Sequence, residues 1–196
     1  MTGRGRYAKG VAKREEILRT ALEVFSRQGY RGSSLRELAA AVNLSQAGLL
    51  HYFDSKEELF AEILRKRDEL DDEAYTAPGD ALGTMVAVMR HNAEVPGLVK
   101  LYTTISAAAT EPDHPAHPFF VRRYEEMRQI LAESIRTKQE SGELDTKLDA
   151  EKLAAIMLAV ADGMQLQWQF DSRHGMADHV EYLWSVLTGV EKLITR

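Results

Sequence analysis

No cysteine occurs anywhere in the 196 residues. Disulfide frameworks, thiolate nucleophiles and cysteine-based zinc sites are thereby excluded together, and the composition suits a reducing cytoplasm. Proline is scarce, at five residues, and no apolar run is long enough to span a bilayer. A secretory leader, an internal repeat and a low-complexity tract are all missing, as is the strict apolar–polar alternation of a half-buried strand. There is no glycine-rich phosphate loop, no HExxH and no nucleophile elbow. Together these absences predict an all-α protein that is not an enzyme and needs no cofactor.

What the chain does have is helical periodicity and well-placed caps. Ile17, Leu18, Ala21, Leu22 and Phe25 form one stripe that stops at Gly29. Ser34 with Glu37, and Ser55 with Glu58, each match the capping-box spacing, in which the serine oxygen and the glutamate satisfy each other's orphaned N–H groups. Between them Leu35, Leu38, Ala39 and Val42 share one face of a two-turn helix. Asn43 enters the left-handed region cheaply, so it can end that helix while Leu44 packs inward and Ser45 caps the next. Two short helices across a three-residue bend are a helix-turn-helix, whose second helix lies in a DNA major groove. The same geometry also occurs without DNA, which leaves a helical adaptor or an uncharacterised helical enzyme as the alternative.

Charge is distributed unevenly. Overall the chain is −5, yet residues 1–56 hold ten Lys or Arg against five acids. A basic head joined to an acidic remainder is what phosphate contact by the head alone requires. Residues 1–14 contain five basic residues, no acids and three glycines, and read as a flexible arm suited to a minor groove. Lys56 at a helix start opposes the helix dipole, a conflict that a neighbouring phosphate would relieve.

The order Gly29-Tyr30, Ser33-Ser34-Leu35, Leu38-Ala39, Leu44-Ser45, Leu49 and Tyr52-Phe53, followed by Ser55-Lys56-Glu57-Glu58-Leu59, resembles the N-terminal signature of the TetR family of transcriptional regulators. The resemblance implies a three-helix DNA-binding domain over 15–56 and a helical effector and dimerisation domain over 57–196. It also implies a repressor that leaves its palindromic operator when a small, moderately hydrophobic molecule binds. By position, it makes Arg36, Gln46, Gly48 and Leu50 base-facing, and Ser33, Ser34, His51, Tyr52 and Lys56 phosphate-facing. Gln46 suits adenine, whereas Gly48 offers only room. At Leu50 the family usually has tyrosine; leucine cannot donate to a phosphate but can lie on a thymine methyl. Phe53 reads as core.

Beyond the head, helices are predicted at about 55–75, 80–93, 97–109, 118–140, 149–170 and 177–195. Leu153, Ile156 and Val160, with Val180, Leu183, Trp184, Leu187 and Val190, form two near-heptad seams able to make a four-helix bundle across a twofold axis. An effector cavity is expected between the middle helices, lined by Met85, Met89, Tyr102, Ile105 and Phe119, and by Tyr124, Met127, Met164 and Trp168. His91, Thr103 and Gln165 are candidate polar contacts. Asp113, His114 and His117 have a loose metal-like spacing, as do His174, Asp178 and His179, but in polar loops these read as exposed side chains, and no metal site is predicted.

Overall fold

A computed structural model of the chain describes residues 3–28 and 34–189. All regular structure among them is helical: α1 (Gly3–Gln28), α2 (Leu35–Ala41), α3 (Gln46–Leu50), α4 (Lys56–Tyr75), α5 (Ala81–Glu94), α6 (Pro96–Ala108), α7 (His117–Glu140), α8 (Ala150–Trp168) and α9 (Met176–Thr188). No described helix is long and apolar enough to cross a membrane. The all-α expectation holds, and most helix limits lie within two residues of those the periodicity predicts.

One expectation is corrected. The basic segment 1–14 is not a loose arm in the described residues, because α1 already runs from Gly3. Once the apolar stripe over 17–25 anchors a helix, each further residue adds a hydrogen bond, and Ala8, Lys9, Ala12, Lys13 and Arg14 are good formers that outweigh the roughly 1 kcal/mol penalty of a glycine. By their contacts the described residues gather into two compact units, one within 1–72 and 95–120, the other within 73–94 and 121–189.

The first unit is built on α1, whose Ile17, Leu18, Ala21, Leu22 and Phe25 are all buried. Leu38, Ala39 and Val42 of the α2 segment, which packs on α1, are likewise buried, as are Leu49 of α3, Phe53, and Leu59, Phe60, Ile63 and Leu64 of α4. Phe25 and Phe60 stack edge to face with centroids 5.9 Å apart, a geometry that adds about 0.5–1.5 kcal/mol beyond area burial. Leu44, expected in this core, is only half-buried. α6 returns to pack on α1, which explains why residues 95–120 belong here.

In the second unit α5 and α8 both pack on α9. Its core includes Met85 and Met89 of α5, Ala132 and Ile135 of α7, and Met157 of α8. Ser134 on α7 ties down the turn before α5: its hydroxyl donates to the Gly79 carbonyl at 3.1 Å and accepts the Ala81 N–H at 3.3 Å. Asp149 caps α8 by accepting the Lys152 N–H at 3.1 Å. Tyr124 donates to Asp162 at 2.5 Å, joining α7 to α8.

Candidate nucleic-acid interface

The turn is built as its residue types require. Ser34 Oγ accepts the Glu37 N–H at 3.2 Å, while the Ser34 N–H and hydroxyl donate to Glu37 Oε2 at 2.7 and 2.6 Å. α2 ends at Ala41, and Asn43 then adopts φ 56°. Its left-handed backbone turns the chain so that Ser45 caps α3, accepting the Gly48 N–H at 3.0 Å. The second capping box closes by a different route. Glu58 donates its N–H to Ser55 Oγ at 2.9 Å, but its carboxylate reaches the Asp54 N–H rather than that of Ser55.

α3 has five residues, far too few to be helical by itself. Its Leu49 is fully buried and pins it to the head. The opposite side is open: Gln46 and Ala47 are exposed, while Gly48 and Leu50 are half-buried. A side-chain carbon on Gly48 would sit 3.2 Å from Ser45 Oγ, so the cap itself favours a bare backbone there. Arg36, Ser34, His51 and Lys56 are exposed, and Tyr52 is half-buried. The ring of Tyr52 meets that of His51 at 5.9 Å, and Lys56 Nζ lies 5.2 Å from the Phe60 ring centroid. Ser33 lies outside the described residues.

Two side chains that sequence reasoning did not single out brace this surface from α1. Lys13 Nζ donates to the Val42 carbonyl at 3.1 Å, at the C-terminal end of α2. Arg14 Nη1 donates to the Tyr52 carbonyl at 2.6 Å, just past the end of α3. Both place a cation where helix dipoles are negative. Desolvation opposes the charge on Arg14, but the hydrogen bonds it donates to Glu58 and Glu62, with their negative charges, outweigh it and raise the guanidinium above its ordinary value. Local spacing carries no signal for either contact, because the partners lie 29 and 38 residues away.

The effector-lining expectation spans both units. Tyr102 and Ile105 are buried in the first unit, with Phe119 half-buried there. Met85, Met89 and Met164 are buried in the second, and Tyr124, Met127 and Trp168 are half-buried. A cleft of about 220 Å³ in the first unit lies between α1 and α4 and is lined by Arg14, Glu15, Glu62, Arg65, Lys66 and Glu69 among others. None of the expected effector-lining residues borders that cleft, whose charged walls are completed by Val11 and Leu18. Arg67 on α4, also missed, is buried over the Tyr102 ring at 5.2 Å, with Nη2 donating to Asp68 at 2.8 Å.

The two expected pairing seams need redrawing. Leu153 and Val180 are buried inside the chain and are not surface residues. Ile156, Leu166 and Phe170 are 50, 51 and 88 % exposed, and Tyr182 and Val186 are 66 and 60 % exposed. Val160, Leu183 and Trp184 are half-buried, Leu187 is partly exposed, and Val190 lies outside the described residues. The exposed apolar line on α8 is thus rotated from the expected one and continues past its C-terminus. Among the described residues no group of three or more His, Asp or Glu is placed to hold a metal ion.

Comparison with known proteins places these features in context. Residues 17–63 match the family described as bacterial regulatory proteins, tetR family, and residues 85–187 match the BetI-type transcriptional repressor, C-terminal family. The chain is 28% identical over 193 residues to the HTH-type transcriptional repressor AcnR of Corynebacterium efficiens, covering 96% of this chain and 95% of that one. Among solved structures, a TetR-family regulator from Rhodococcus sp. superposes with TM-score 0.68 at 19% identity, covering 90% of this chain and 98% of that one. AibR, solved in complex with isovaleryl coenzyme A and operator DNA, superposes with TM-score 0.57 at 23% identity, covering 90% and 98% of the two chains.

Proposed function

Since the chain belongs to the TetR family of bacterial regulatory proteins, we propose that it is a homodimeric repressor that binds a palindromic operator and releases it when a small, moderately hydrophobic effector binds. The observation that carries the reading is the outward face of α3. A five-residue helix, capped by Ser45 and anchored by Leu49, presents Gln46, Ala47 and Leu50 from a basic head. No packing role explains an exposed glutamine at the start of so short a helix, whereas its amide can pair bidentately with adenine.

On this reading Arg36 and Gln46 read base edges, Leu50 lies on a thymine methyl, and Gly48 lets the backbone approach. Ser33, Ser34, His51, Tyr52 and Lys56 contact phosphates, which set register without reading sequence. One such helix reads few bases, so two copies related by a twofold axis are required to read an inverted repeat about one helical turn between half-site centres. The exposed apolar residues of α8 and α9 supply the pairing surface, since burying them against a second copy removes side chains that otherwise face water. The Met and aromatic side chains of α5, α7 and α8 suit an adaptable apolar effector. Release requires that effector to prefer the non-binding arrangement; equal affinity for both would shift nothing.

AibR's solution with both an acyl-coenzyme A and operator DNA supports the combination of ligand response and DNA binding in this fold. The test is fluorescence anisotropy with a duplex selected by the protein from a randomised pool, compared with a scrambled duplex across a salt series. A preference of about a thousandfold or more, with affinity falling steeply as salt rises, is expected. Equal affinity for both duplexes would overturn the reading in favour of an adaptor or an enzyme.

A further inference from the structure

One guanidinium gathers the end of the recognition helix, the connection that follows it and the start of α4. Arg14 Nη1 donates to the Tyr52 carbonyl at 2.6 Å, and Nη2 lies 3.1 Å from Glu58 Oε1 and 3.2 Å from Glu62 Oε2. Its planar face covers the buried Phe53 ring at 4.4 Å. The Tyr52 carbonyl closes the α3 end, Phe53 roots the α3–α4 connection in the core, and the two glutamates occupy the first two turns of α4. Glu58 also holds the Asp54 N–H, so the whole connection 52–55 is tied to the same pair of charges. A lysine would not reproduce this, because its three donors radiate from one atom and it has neither two separated nitrogens nor a planar face to lay on Phe53.

We propose that Arg14 is a positioning residue for DNA recognition: it fixes the angle of α3 relative to α4 and makes no phosphate contact of its own. The proposal rests on the DNA-reading role of α3. Three observations support it. All the acceptors around the guanidinium are internal, so its positive charge is used inside the head. The five-residue α3 has one fully buried side chain, Leu49, and needs a second constraint to define its direction. Any tilt of α4 carries Glu58 and Glu62 with it and must either drag the Tyr52 carbonyl along through Arg14 or break these bonds. Arg14 is therefore the joint through which movement of α4 re-aims the reading surface.

The experiment compares Arg14→Met, Arg14→Lys and Glu62→Gln with the parent in three measurements: binding to the selected duplex, binding to a scrambled duplex, and amide hydrogen exchange over 46–54. Arg14→Met keeps an apolar stem over Phe53. It is expected to weaken selected-duplex binding about tenfold to a hundredfold, the size of a lost charged hydrogen bond. Scrambled-duplex affinity and the salt slope should stay close to the parent's. A phosphate contact would instead weaken both duplexes alike and lower the salt slope by about one, which would overturn the proposal.

Glu62→Gln separates positioning from charge by sign. It makes the head more positive, so attraction to DNA alone predicts tighter binding, whereas loss of a hold on Arg14 predicts binding several-fold weaker; tightening overturns the proposal. Full rescue by Arg14→Lys would also overturn it, since charge alone would then suffice. Should Arg14→Met not fold, the glutamate and lysine variants still decide. Exchange over 46–54 is expected to rise about tenfold in the folded variants, and unchanged exchange counts against the joint even if the parent selects no duplex. That last outcome, with exchange raised, would sink the operator reading while leaving the positioning of α3 by Arg14 intact.

Discussion

At the level of single residues, two kinds of contact are separable by what their loss does. Lys56 is exposed at the start of α4, where a cation opposes the helix dipole, and its Nζ lies 5.2 Å from the Phe60 ring centroid. Lys56→Ala is expected to weaken selected and scrambled duplexes equally and to reduce the salt slope by about one, measured by anisotropy. Arg36→Ala or Gln46→Ala should cost about 1–3 kcal/mol on the selected duplex and relax preference at particular base pairs in a binding-site selection. Uniform losses from all three would undo these roles. The caps at Ser34 and Ser45 were legible in the sequence because a cap is a local bond between residues three apart. The bonds from Lys13 and Arg14 were not, because the residues that accept them are brought close only by folding.

Helix limits were likewise legible where punctuation is local, as at Asn43, the Pro96 start of α6 and the Gly142 turn. The rotation of the exposed line on α8 was not. Leu153, Ala154, Met157, Leu158 and Ala161 are buried inside the chain, while Ile156, Leu166 and Phe170 remain in contact with solvent. An apolar helix such as α8 offers residues all round, and periodicity alone cannot say which stripe the chain keeps for itself. If α8 and α9 pair with a second copy, Ile156→Glu together with Val186→Glu should place unpaired charges in that interface, twice over by symmetry. Sedimentation equilibrium should then show dimerisation weakened at least about a hundredfold, with operator binding lost and the helical signal of the chain retained. A variant that remains dimeric would move the interface elsewhere.

Considered as a whole, the molecule's ion pairs fix its response to acid. Glu15 is held below its ordinary value of 4.5 chiefly by Lys66, Glu37 by the Ser34 hydroxyl, and Glu125 by Arg128. Asp149 lies below 3.8 beside Lys152, as does Asp171 beside Arg173. A carboxylate with a depressed folded-state value contributes stability above its unfolded value and loses it as pH falls through the folded one. The melting temperature is therefore expected to stay level from about pH 8 to about pH 5 and to decline below about pH 4, followed by circular dichroism; a fall beginning near pH 6 would contradict it. Lys66 and Lys152 are raised above 10.5, so their share persists until strongly alkaline conditions. The charge split between head and remainder was legible from counting; the division into two units was not, since it depends on α6 returning to α1.

The five residues of α3 divide their labour. Leu49 faces inward and decides whether the segment is helical at all, whereas Gln46 and Ala47 face outward and contribute almost nothing to folding. On the proposed reading, target preference and structural integrity are encoded by different letters of one short word. Descendants of this chain can therefore acquire new binding addresses by drift at the outward letters, without first passing through an unstable ancestor.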